Sequence, residues 1–116
     1  MGRWSQANCM GYALGINQWM RVPNWRNQTA LESAQWLAKT YKLKMVSRSE
    51  MELGKEYIVF RMSSQDFHFI RRDSQGNWRH KPGAMLVRPM SEKQVFADYW
   101  QLGSTYYNSV PLIFEV

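Results

Sequence analysis

Lys55-Glu56-Tyr57-Ile58-Val59-Phe60-Arg61-Met62, the turn Ser63-Ser64-Gln65, then Asp66-Phe67-His68-Phe69-Ile70-Arg71-Arg72: the reading of this run decides the fold. Two segments rich in β-branched and aromatic residues flank a short polar turn, which predicts paired strands over Lys55–Met62 and Asp66–Arg72. Side chains alternate across a strand, so His68 and Ile70 face one way and Phe67 and Phe69 the other. Both faces carry apolar residues, as in a central strand covered on two sides.

Upstream, the hydrophobic period is helical. Thr29 is a natural cap for a helix to about Lys42, in which Ala30, Ala34, Leu37, Ala38 and Tyr41 share one face and Glu32, Gln35 and Lys39 the other. Leu43 to Ser47 is a short strand candidate, and Ser49 to Gly54 connects it to the hairpin. Downstream, Ser74-Gln75-Gly76 leads into a strand over Asn77–His80, ended by Lys81-Pro82-Gly83. Ser91 with Lys93 to Trp100 suits a short helix or an extended segment, Gly103 to Ser109 a loop, and Val110 to Val116 a terminal strand completing the sheet. Helices first and strands after them predict an α+β domain over residues 1–116, with the N-terminal helices packed on a mostly antiparallel sheet.

The chain has 116 residues, with six Trp, six Tyr and five Phe, which suffices for one core without disulfides or metal. Its single cysteine excludes an internal disulfide and every multi-cysteine zinc site. No apolar run approaches the roughly 20 residues of a membrane span, and the start lacks the apolar centre of a signal peptide. The chain therefore reads as soluble and cytoplasmic, unless it reaches the outside or another cell by a different route. Fifteen Lys and Arg against nine acids give a formal charge of +6, which favours anionic partners such as nucleic acid, acidic peptides or a wall polymer. The densest cluster, Arg71, Arg72, Arg79 and Lys81, can equally be a solvated basic face.

The cysteine lies in Ser5-Gln6-Ala7-Asn8-Cys9-Met10-Gly11-Tyr12-Ala13-Leu14-Gly15, where Asn8 is a natural cap and a short helix begins. A thiol in the first turn meets unpaired N–H groups and the positive end of the helix dipole, which favour the thiolate nucleophile. A lone cysteine is also commonly a small buried hydrophobe. Asn17 to Gln28, polar and Pro-containing, reads as an ordered loop whose Trp19 and Trp25 pack on the body or line a cleft.

Both histidines fall on the second predicted hairpin. With Ser74-Gln75-Gly76 as a three-residue loop, Asp73 faces Asn77 and Ile70 faces His80, so His80 lies one diagonal step from His68 on the same face. A thiol nucleophile needs a base, and the base needs a group that fixes its tautomer. His68 suits the first role and His80 the second. Alternatively, His68 is a satisfied core histidine and His80 part of a basic turn. As zinc ligands, Cys9, His68 and His80 have no recognised spacing.

Asn8-Cys9-Met10-Gly11-Tyr12-Ala13-Leu14, Asp66-Phe67-His68-Phe69 and Trp78-Arg79-His80-Lys81-Pro82-Gly83 together resemble the NlpC-type branch of papain-like cysteine peptidases, and within it small bacterial and phage-associated domains. The resemblance implies a papain-like core with Cys9 as nucleophile, His68 as general base and acid, and His80 as third member. The oxyanion would be met by the Cys9 N–H with help from Asn8 or Gln6. It further implies amide chemistry through a thioester without cofactor or metal: cleavage of a peptide or protein, such as a cell-wall peptide, or deamidation or acyl transfer. Tyr12, Trp19, Trp25 and Trp78 are candidate cleft walls, though each suits a core as well. The competing expectation is a non-catalytic module whose basic and aromatic residues bind nucleic acid or another anion.

Overall fold

The computed structural model describes residues 2–116. Three helices and eight strands follow in order: α1 Cys9–Leu14, α2 Ala30–Tyr41, β1 Lys44–Val46, β2 Tyr57–Met62, β3 Phe67–Arg72, β4 Trp78–His80, β5 Arg88–Met90, α3 Glu92–Val95, β6 Trp100–Leu102, β7 Thr105–Tyr107 and β8 Leu112–Glu115. Six strands form one antiparallel sheet in the order β1-β8-β2-β3-β4-β5, and β6 and β7 form a separate hairpin. The class is α+β with a mostly antiparallel sheet, as the change of period from helical to alternating implied.

The sheet is covered on both faces because its central strands are apolar on both. Ile58, Phe60, Met62, Phe67, Phe69 and Phe114 meet Cys9, Met10 and Ala13 of α1 and Ala34 and Leu37 of α2. On the other face Tyr57, Val59, Ile70, Trp78 and Ile113 meet Val95 of α3 and Trp100 and Tyr107 of the β6–β7 hairpin. The expected alternation along β3 is therefore realised, with each face closed by its own layer.

Local signals set the helix ends. Thr29 accepts from the Glu32 N–H while the Glu32 carboxylate accepts from the Thr29 N–H, and Lys42 ends α2 in the left-handed region. α1 is short because Gly15, at φ +74°, closes it after six residues and sends the chain back across it. Gly11 makes that return possible: a Cβ on it would stand 2.0 Å from the Gln18 carbonyl oxygen and 2.7 Å from that of Ile16.

Two elements depart from the sequence reading. Gly103 to Ser109 is not simply loop, for β7 lies within it and pairs with β6 around Gly103 at φ +62°. β5 has no counterpart in the sequence reading, since three residues containing Pro89 carry no strand signal, yet it pairs with β4 at the sheet edge, where a proline is tolerated. The expected C-terminal strand is present as β8 and completes the sheet by inserting between β1 and β2. Among the described residues, no helix is long and apolar enough to cross a membrane.

Candidate functional site

The β3–β4 ladder pairs Arg71 with Arg79 and Arg72 with Trp78, and the Asp73 N–H donates to the Asn77 carbonyl at 3.0 Å. One further step of this register sets Ile70 opposite His80, as counted from the three-residue turn. His68 Nε2 and His80 Nδ1 are 2.8 Å apart, the rings edge-on at 85°. His68 is 2% exposed, and Trp100 and Tyr107 of the β6–β7 hairpin pack against its ring.

Burial pushes the His68 ring down to about 3, with the neighbouring His80 adding to it, and burial lowers His80 too, helped by Arg88. Both imidazoles are thus neutral near pH 7, each carrying one proton. When His68 donates from Nε2, its Nδ1 is left as the basic lone pair. Nδ1 has no hydrogen bond to the described residues and is not among the fully buried polar atoms lacking partners, and His68 lines the adjacent cleft.

Cys9 opens α1, as the spacing implied, and lies at the floor of the same cleft. It is 6% exposed, and its thiol donates to the Phe67 carbonyl oxygen at 4.0 Å. Cys9 packs on the Phe67 and Phe69 face of the sheet and His68 on the other, so the two share only the cleft that both line, and among the described residues no hydrogen bond joins the thiol to either histidine. Nor is the thiolate favoured: burial pushes the thiol up to about 12, and Asp66 adds to that, while backbone groups of Phe69, Met10 and Cys9 offset only part. The first-turn amides of Cys9 and Met10 act in the expected direction, and burial outweighs them.

Asn8 is a buried clamp: its Oδ1 accepts from the N–H groups of Gly11 and Met20, both at 3.1 Å, and its Nδ2 donates one N–H to the Met20 carbonyl at 2.6 Å. Its second Nδ2 hydrogen has no hydrogen bond among the described residues, and Asn8 lines the cleft. Gln6 is exposed and lies outside the cleft lining, with its backbone N–H donating to Asn17.

The cleft measures about 300 Å³. Trp19 and Trp25 line it, as the loop reading expected of them. Tyr12 and Trp78 do not. Tyr12 stacks edge-on with Trp4 beside a different depression bordered by Arg71 and Arg79, and Trp78 is buried on the opposite face of the sheet against Phe96. Indole and phenol size alone could not tell these destinations apart.

Several lining residues escaped the sequence reading. Tyr107 donates to Asp66 Oδ2 at 2.9 Å across the mouth, and Asp66 Oδ1 accepts from the Phe67 N–H at 2.8 Å. Burial and the bond to Asp66 raise the Tyr107 hydroxyl. Asp66 stood within the motif and could have been singled out; Tyr107, in a segment without periodicity, could not. Lys81 is buried and donates to the carbonyls of Ala7 and Gly83, tying the end of β4 to the residues just before Cys9.

The basic cluster is largely consumed inside the chain. Arg71 donates to the Ala13 carbonyl at 2.6 Å and pairs with Glu56 at 2.8 Å, Arg72 donates to the Glu52 carbonyl, and Arg79 pairs with Asp73. Among the described residues, no group of three or more His, Cys, Asp or Glu is arranged to hold a metal ion. No curated protein and no solved structure matches the chain. A family model matches residues 3–109, nearly its whole length, and the chain belongs to that family, described as Domain of unknown function (DUF7689).

Proposed function

We propose that the protein is a thiol hydrolase acting on an amide bond, with a papain-like, NlpC-type arrangement in which Cys9 attacks, His68 moves the proton and His80 orients His68. The observation that carries this is the 2.8 Å bond between the two buried rings, which occupies Nε2 of His68 and leaves Nδ1 without a hydrogen bond among the described residues, in a ring lining the cleft that also holds Cys9. A core histidine needs one satisfied partner; it does not need to line a cavity that holds a thiol.

A neutral thiol beside a neutral imidazole is a general-base pair, with no ion pair formed in advance. Catalysis requires the sulfur to turn from the Phe67 carbonyl toward Nδ1. The thiol proton then passes to Nδ1 as sulfur bonds to the substrate carbonyl carbon, and the oxyanion meets the Cys9 N–H, one of the unpaired first-turn amides. Collapse expels the amine, which takes the proton from the imidazolium, and water assisted by the same imidazole releases the acid from the thioester. Peptides, including wall peptides, are the substrate class the resemblance suggests. The binding-module alternative keeps the net charge of +6 but loses the densest basic cluster, whose cations already serve carbonyls and carboxylates of the chain.

The test is the rate of Cys9 carbamidomethylation at pH 7 in the protein and in His68→Ala. With the thiol held protonated by burial, reactivity at that pH depends on an acceptor for its proton, so the variant should react at least about tenfold more slowly while its circular dichroism is unchanged. Equal rates would refute the pairing. Release of amines from wall peptides, abolished by Cys9→Ala, would then identify the bond that is cut.

A further inference from the structure

The cleft that holds Cys9 is lined by groups of opposite charge. Asp66 is held there by Tyr107 and the Phe67 N–H. The loop after α1 brings Trp19, Arg21, Trp25 and Arg26 to the same cleft. The guanidinium of Arg26 lies 4.7 Å from the Trp25 ring centroid, which fixes its place at the rim. Arg21 and Arg26 are exposed, and neither enters an ion pair among the described residues, whereas Arg71 and Arg79 are bound to Glu56 and Asp73. Trp19 is 65% exposed although it lines a cavity. An exposed indole beside two unpaired guanidinium groups is a surface prepared for a flat or apolar group next to an anion.

On the footing of the thiol hydrolase proposed above, we infer that this cleft selects a peptide substrate with a carboxylate beside the scissile amide, received by Arg21 and Arg26 while Trp19 covers the adjoining segment. The loop is held for that purpose by Asn8, which grips both the N–H and the carbonyl of Met20 from the residue next to the nucleophile. Substrate position and thiol position are thereby fixed by one side chain. The carboxylate of Asp66 makes the choice directional, since an anion placed beside it meets repulsion.

Two aromatic disulfides that the same thiol attacks, each releasing an aromatic thiolate, provide the measurement: dithiobis(nitrobenzoate), which carries carboxylates, and neutral dithiodipyridine. In Arg21→Ala/Arg26→Ala, the rate with the first should fall about tenfold and lose most of its salt dependence, while the rate with the second changes less than about twofold. A parallel loss with both reagents, or none with the first, overturns the charge selectivity and leaves the thiol hydrolase standing. If Cys9 in the folded protein reacts with neither, the hydrolase itself fails, and this inference with it. An oligoglutamate peptide should also slow dithiodipyridine at Cys9 in the native protein; protection by an oligothymidylate of equal charge alone, or by neither polymer, overturns the choice of a peptide carboxylate.

Discussion

At the scale of single residues, the two histidines divide the labour by which nitrogen each presents. In the proposed mechanism His68 donates from Nε2 to Nδ1 of His80, and in that tautomer the 2.8 Å contact asks of residue 80 only an acceptor at one point. An asparagine side chain can supply an acceptor oxygen; an alanine cannot. His80→Asn should therefore keep turnover within about tenfold of the native rate, whereas His80→Ala should lose about a hundredfold and His68→Ala more, since a positioned base contributes roughly 10²–10⁴. Steady-state kcat for the three variants checks the order, and an asparagine as harmful as alanine would mean that His80 does more than accept. Both histidines and the cysteine could be found from the sequence, since a countable turn and a cap fix their positions along their own elements. Their environments could not be found, because burial, which sets the thiol at about 12 and the imidazole at about 3, depends on what the rest of the chain lays over them.

Among the elements, the β6–β7 hairpin was the least visible in the sequence and is the one that buries His68. Three-residue strands are too short to show alternation, whereas β2, β3 and α2 run long enough for their periods to declare themselves. The hairpin is held by Arg61, which is 1% exposed and stands opposite His68 in the β2–β3 register. Its guanidinium donates to the carbonyls of Ala97 at 2.6 Å and Asp98 at 2.5 Å before the hairpin, and of Ser109 at 2.9 Å after it, and lies over the Trp100 ring. One side chain thus gathers both ends of the cover. Arg61→Met leaves three carbonyls without their donor and should destabilise the protein by about 3 kcal/mol. Amide exchange should then quicken across residues 100–107 ahead of α1 and α2, because the helices pack on the far face of the sheet. Uniform acceleration would show that the cover and the sheet open only together.

For the molecule as a whole, two layers closing one sheet leave the imidazole pair in its interior, and the stability of the fold must then follow the protonation of that pair. His68 is held at about 3 in the fold against 6.5 for a free ring, with His80 shifted in the same direction. Between those limits the unfolded chain binds protons that the folded chain refuses, so stability is complete above pH 6.5 and falls as the solution is acidified toward pH 3. The slope is about 1.4 kcal/mol per pH unit for each ring that stays neutral, which gives about 2 kcal/mol between pH 6.5 and 5 from His68 alone. Asp73 and Glu50 are also shifted downward, chiefly because their carboxylates accept from the backbone N–H groups of Asn77 and Ser47, and they withdraw their support only nearer pH 4. The chain has two histidines in all, so the window from pH 5 to 7 reports on this pair and little else. Urea midpoints at pH 7 and pH 5 should differ clearly in the native protein and by much less in His68→Phe, whatever that substitution costs at pH 7. A native midpoint that does not move would mean that the rings accept protons without the fold opening, and that the cover over His68 is looser than its packing implies.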